Sequence, residues 1–285
     1  MKPHILPTKA RERNPQTLCA AVGFADGIGG GIQSQNIVGY NTVTLKPGYN
    51  MLALNFQSVS NATKGISIQD MIPGKTEGLK FGPNAVSADT IMVYNPENAG
   101  YTSYFLYKNA RKEDAKDYNW CSLDSGYPIA DKIFKNGDAF WYLSQGEKDI
   151  SVAISGAVAI DASATVEIAE GYNMIANAFP VNFNPNALGV DYWKSAIAAG
   201  ASAGPNAVSA DTIMVYDPET TGYTSYFLYK NARKEDAKDY KWCSMDSGYP
   251  AIDPTAECIS VGKGVWYLHQ GETTFKLTIP SPLTK

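Results

Sequence analysis

Residues 82–128 and 204–250 are nearly one sequence written twice: at a constant offset of 122, 42 of 47 positions are identical. The five differences are Asn95/Asp217, Asn98/Thr220, Ala99/Thr221, Asn119/Lys241 and Leu123/Met245. The match continues more loosely outward, with Gly48-Tyr-Asn-Met51 against Gly171-Tyr-Asn-Met174 and Trp141-Tyr-Leu143 against Trp266-Tyr-Leu268. Each unit therefore spans roughly 115 to 125 residues, which is enough to bury a core of its own, unlike a short solenoid repeat. This divides the chain into a leader and Gly-rich linker at 1–35, a first domain at 36–158 and a second of the same fold at 159–285.

Within a unit the pattern is short strands punctuated by Gly, Pro and Asn. Thr42 to Lys46 and Asn50 to Phe56 flank Pro47-Gly48, a turn pair that predicts a first hairpin. Asp89 to Tyr94 and Tyr101 to Lys108, rich in β-branched and aromatic residues, predict a second. Ala139 to Ser144 and Asp149 to Ser155, separated by Gln145-Gly146, predict a third. About seven strands at this spacing fit an all-β fold, a β-sandwich or small barrel in each copy. Helix is minor, with Val190 to Ala199 as the best candidate and a turn near Ser67 to Met71.

Composition then removes whole classes of function. Hydrophobic residues at 44% supply cores, and a net charge of −4 offers no basic footprint for nucleic acid. No run of about 18 apolar residues is present to form a spanning helix. The two histidines, His4 and His269, are too few for most His-based triads or zinc sites. No cofactor is called for, and an enzyme is not the expected reading.

The first residues carry Lys2, Lys9, Arg11 and Arg13 ahead of a short apolar run, Leu18 to Ala25. These are the parts of an export signal in degraded form, and a cytosolic tail is the other reading. Gly27 to Gly31 lacks the Lys-Ser/Thr of a phosphate loop and reads as linker. Export would place the protein outside the cell or on its surface.

The order "IVGYNTVTLKPGYNMLALNF", "DTIMVYNPENAGYTSYFLYK", a Trp loop, then "GDAFWYLSQGEKDISVAISG" resembles a poorly characterised class of secreted bacterial repeat domains. Those open on a Gly-Tyr/Trp-Asn strand and close on a Gly-Asp/Glu-Gly/Ala-Phe-Trp strand, and the resemblance covers nearly all of 36–279 in two copies. It implies a β-rich, exported, surface-associated role without a defined catalytic set. The second copy departs at Lys263, which replaces the acidic residue, so any ion site at Asp138 is not duplicated.

Candidate ligand-binding residues are aromatic. Alternation places Tyr101, Ser103, Phe105 and Tyr107 on one strand face and Thr102, Tyr104, Leu106 and Lys108 on the other, with Tyr223 and Tyr226 as counterparts. Trp120 and Tyr127, with Trp242 and Tyr249, lie in loop-like sequence beside Asp-Ser-Gly and are candidates for an exposed patch. Ala110 to Tyr118, repeated unchanged as Ala232 to Tyr240, reads as a solvated helical turn, and Glu113, Asp114 and Asp117 match no calcium loop. Asp89 and Asp211 read as turn caps. Cysteines 121, 243 and 258 read as buried thiols or, alternatively, as a Cys243–Cys258 disulfide.

The leading expectation is a non-enzymatic exported surface protein with a structural or adhesive role. The alternative is a glycan-binding protein using the duplicated Tyr/Trp loops, so the partner is a glycan or another surface protein. A carboxylate-based hydrolase, needing two acids roughly 5 to 10 Å apart in a cleft, is the third reading.

Overall fold

The computed structural model describes residues 37–60 and 65–282, so the leader and its export reading lie outside the described residues. The first repeat contains β1 (Val38–Leu45), β2 (Gly48–Ala53), β3 (Ile66–Ser67), α1 (Ile68–Met71), β4 (Thr90–Asn95), β5 (Gly100–Tyr107), β6 (Asn119–Ser122), β7 (Ile133–Phe134), β8 (Ala139–Ser144) and β9 (Ile150–Ala157). The second contains β10 (Ser163–Ile168), β11 (Gly171–Ile175), α2 (Val190–Ala198), β12 (Thr212–Asp217), β13 (Gly222–Tyr229), β14 (Lys241–Ser244), β15 (Val265–His269) and β16 (Phe275–Pro280). The fold is all-β and every strand pairing is antiparallel.

Both repeats have the same topology. A five-stranded sheet runs β2-β8-β4-β5-β6 in the first and β11-β15-β12-β13-β14 in the second, each with a separate two-stranded ribbon, β1-β9 or β10-β16. Of the three expected hairpins, the second forms as β4 and β5. The first and third do not: β1 pairs with β9 and β2 with β8, so Pro47-Gly48 and Gln145-Gly146 carry the chain between layers.

That layer change explains the Gly-Tyr-Asn motif. Gly48 and Gly171 take positive φ, +85° and +79°, which a glycine adopts without steric cost. The buried Asn50 then accepts from the Lys46 N–H at 2.8 Å and donates to the Lys46 carbonyl at 2.8 Å, bracing the corner. Asn173 does the same to Ala169 at 2.9 and 2.7 Å.

One face of each sheet packs on its own ribbon. Trp120, Phe134, Phe140, Tyr142, Leu45 and Ile154 fill the first core; Trp242, Trp193, Tyr267, Phe179, Phe275 and Leu277 fill the second. Trp120 and Trp242 are 0% exposed, which corrects their expected place in an exposed loop. They lie on β6 and β14, where Gln69 and Asn186 bind the backbone on either side of each indole.

The opposite faces meet each other. Met51, Met92, Tyr94 and Trp141 interlock with Met174, Met214, Tyr216 and Trp266 in a third core. Its contacts are reciprocal: Tyr94 meets Trp266 and Tyr216 meets Trp141, both edge to face at 4.8 Å. Backbone bonds repeat the symmetry, with Ala53 N–H donating to Gly262 O at 2.9 Å and Ala176 N–H to Gly137 O at 3.0 Å. A contact in which each partner offers the same patch is isologous. Residues 36–158 expressed alone are therefore expected to dimerise through this face, doubling the mass seen by analytical ultracentrifugation. Trp141→Ala is expected to return that fragment to a monomer; a wild-type fragment that stays monomeric would show that the shared core adds little.

The two tryptophan cores also differ in a testable way. The Trp120 indole N–H donates to Ile72 O at 2.7 Å, whereas the Trp242 indole nitrogen is buried without a partner. Trp120→Phe is expected to cost about 1–3 kcal/mol more than Trp242→Phe in urea denaturation, because it strands a buried carbonyl. Equal losses would mean that packing alone sets the cost.

Candidate functional site

Over the third core the chain leaves a rim of phenols. Tyr49, Tyr101, Tyr172 and Tyr223 are each about half exposed, at 49%, 49%, 48% and 47%. Alternation puts them there: in Gly-Tyr-Asn-Met the buried Asn and the Met are fixed by the corner and the shared core. Tyr49 leans edge-on against Trp141 and Tyr172 against Trp266, both at 5.8 Å. Tyr101 contacts Tyr94 at 5.4 Å and Tyr223 contacts Tyr216 at 5.3 Å. Each Trp of the core is thus edged by tyrosines from both repeats.

Burial raises the Tyr101 and Tyr223 phenols above their ordinary value, and the Trp141 and Trp266 indoles partly offset it. The rim therefore presents hydroxyls on large rings, a surface able to give and accept hydrogen bonds while burying apolar area.

Of the residues expected to bind a ligand, Tyr101 and Tyr223 edge the shared core and the rest lie elsewhere. Tyr104 and Tyr226 lie on the opposite sheet faces, packed against the first and second cores. Tyr127 and Tyr249 cap small clusters at the far end, each edge-on to Phe105 or Phe227 at 5.0 Å. Tyr49 and Tyr172 were not anticipated from sequence, although their place between a positive-φ Gly and an inward Asn marks them as outward.

Asp89 and Asp211 are more than turn caps, since both are wholly buried. Asp89 accepts from Lys80 N–H at 2.9 Å, the Tyr142 hydroxyl at 2.7 Å and Gln145 N–H at 2.7 Å. Asp211 accepts from Ser202 N–H at 3.0 Å, the Tyr267 hydroxyl at 2.7 Å and Gln270 N–H at 2.9 Å. Each ties a loop and the end of a closing strand to the start of β4 or β12. Asp211 also faces His269 Nδ1 at 2.9 Å, whose Nε2 lies 3.0 Å from Thr273 O. The same position in the first repeat is Ser144.

The unchanged charged segment is not a helical turn either. The Asp117 carboxylate accepts from Asn109 N–H at 2.7 Å and Asp114 N–H at 3.3 Å, and Asp114 accepts from Lys116 N–H at 3.0 Å. Lys116 then donates to Gly126 O at 2.8 Å, as Lys238 does to Gly248 O at 3.0 Å. These acids are spent on the backbone, which organises an Asx-type loop.

Cys121, Cys243 and Cys258 are free thiols, so the Cys243–Cys258 bond does not form. Cys243 pairs with Phe227 and shares its face, whereas Cys258 packs on the second core beside Tyr226, across the sheet. Cys258 is half-buried. Burial pushes all three thiols up to about 11, leaving little thiolate at neutral pH.

Among the described residues no helix is long and apolar enough to cross a membrane. No protein-family model, curated protein or solved structure matches the chain.

Burial raises the Asp89 carboxyl above the ordinary carboxylate value, against its bonds to Tyr142, Gln145 and Lys80. The folded state thus holds that proton more tightly than the unfolded state. Its favourable contribution is full below the unfolded pKa and is lost as pH rises through the folded one. In urea titrations across the acidic range, the stability difference between wild type and Asp89→Asn is expected to shift toward the variant as pH rises. A shift toward wild type would mean that the three donors hold the carboxylate as an anion.

Proposed function

We propose that this chain is an exported, non-enzymatic surface module of two duplicated β-domains with a structural or adhesive role. The observation that carries the reading is the tyrosine rim over the shared core. Four phenols on a rigid double sheet form a contact surface of large amphipathic rings with little conformational entropy to lose. Reactive groups are meanwhile committed to the frame: Asp89 and Asp211 each receive three donors, and burial keeps the thiols protonated.

The reading of a glycan site on the Tyr/Trp loops loses its two indoles to the cores, and the tyrosines left there, Tyr127 and Tyr249, sit edge-on to buried phenylalanines. A hydrolase built on Asp89 or Asp211 has no open carboxylate to work with, since each is wholly buried.

Two measurements test the proposal. Membrane-impermeant biotinylation of intact source cells is expected to label the chain, and labelling only after lysis would overturn the surface role. Replacing Tyr49, Tyr101, Tyr172 and Tyr223 by Ser is expected to preserve the circular dichroism spectrum. It should lower attachment of protein-coated beads to the source cells by about tenfold or more. Unchanged attachment would reject the rim as the adhesive surface.

A further inference from the structure

A groove of about 980 Å³ runs between the β1-β9 ribbon of the first repeat and the second repeat's β12-β13 turn and 260–263 loop. Its volume lies at the upper end of the range for small-molecule clefts. The two walls meet where Gly262 abuts the ribbon: a Cβ there would sit 2.3 Å from Asn41 Nδ2, and the backbone φ of +81° favours glycine at that point.

The groove is polar and carries charge of both signs. Lys46, Lys263, Asp217 and Glu219 line it, two cations and two anions, with Tyr40 and Asn182 alongside. Three of these groups, Lys46, Glu219 and Asp217, engage one another or the turn. Lys46 Nζ bridges Asp149 at 2.7 Å and Glu219 at 3.3 Å. The Asp217 carboxylate accepts from Glu219 N–H at 3.0 Å and from Thr220 Oγ1 at 2.9 Å. The Glu219 N–H is the main reason its carboxyl stays below the usual range, so it remains an acceptor near neutral pH.

The groove also falls where the two copies part company. Three of the five differences between the duplicated segments, Asn95/Asp217, Asn98/Thr220 and Ala99/Thr221, lie in the turn that forms this wall. By the looser alignment, Lys263 replaces Asp138, and Lys46 on the ribbon corresponds to Ala169. Of the four charged groups in the groove, Glu219 has the identical counterpart Glu97, whereas Lys46, Asp217 and Lys263 stand against Ala169, Asn95 and Asp138.

We propose that this groove binds an uncharged oligosaccharide. With Asp149 on Lys46, two ammonium groups face three carboxylates, which disfavours an anionic ligand, while together they present donors and acceptors to a ligand whose hydroxyls do both. Tyr40, 42% exposed, adds aromatic surface to the lining. The site is separate from the tyrosine rim, and the inference holds whether or not the rim is adhesive.

The test is isothermal titration calorimetry of the full chain against neutral cello-, malto-, xylo- and chito-oligosaccharides, with an acidic galacturonate series alongside. At least one neutral series is expected to bind. Asp217→Asn, which installs the first repeat's residue, and Lys263→Ser are each expected to weaken that binding by about tenfold or more. Asn95→Asp and the four-tyrosine variant are expected to bind as wild type, which separates this site from the rim. The proposal is overturned by a silent neutral panel, by preference for the acidic series, or by wild-type affinity in Asp217→Asn and Lys263→Ser.

Discussion

Tyr94 meets Trp266 edge to face at 4.8 Å, and Tyr216 meets Trp141 in the same way, so each repeat supplies both halves of the contact. Edge-to-face geometry sets the electropositive rim of one ring against the electronegative face of the next and adds to the area buried. With the methionines around it, this reciprocal contact turns two sheets that each have one apolar face to spare into a single sandwich. Methionine suits the seam because its flexible thioether fills gaps between indoles set by the opposite sheet. The tyrosine rim and the groove both depend on this packing, since neither exists on one repeat alone.

The buried carboxylates solve a different problem. In each repeat the ribbon must be fastened to the sheet by connections that leave one layer and enter another, and such corners expose backbone N–H groups to a dry interior. Asp89 and Asp211 each gather two of those N–H groups and one phenol. The second repeat adds His269, whose ring nitrogens lie between Asp211 Oδ1 at 2.9 Å and Thr273 O at 3.0 Å. Its stability is thereby tied to a histidine that the first repeat lacks.

How much of this was legible depended on whether the signal was local. The duplication, the β4-β5 and β12-β13 hairpins and helix α2 were readable because periodicity and turn residues act between near neighbours. The Pro47-Gly48 and Gln145-Gly146 turns look the same whether the strands they join pair or part, and only the partner strand, about a hundred residues away for β1 and β9, decides. Trp120 and Trp242 read as loop residues because Ser-Gly follows them closely; the cores that cover them come from distant segments. Asp89 and Asp211 announced a turn but not the tyrosine, 53 or 56 residues on, that makes each a buried hub. Tyr101 and Tyr223 were singled out as an aromatic strand, yet nothing local could say that both would edge a core shared by the two repeats.

The reciprocal frame also bears on where the copies are free to differ. At the shared core a change in one repeat alters a contact made by the other, and Met51/Met174, Met92/Met214, Tyr94/Tyr216 and Trp141/Trp266 are identical pairs. The charged segment is held similarly, because Asp117/Asp239 and Lys116/Lys238 each close a specific backbone bond. The tip of the β12-β13 turn has no such obligation to its counterpart. Its neighbours across the groove, Lys46 and Lys263, fall outside the near-identical segments, so charge can be placed there in one copy without disturbing the symmetric packing beneath. A duplicated scaffold acquires a single, asymmetric site most readily at the margin of its symmetric seam.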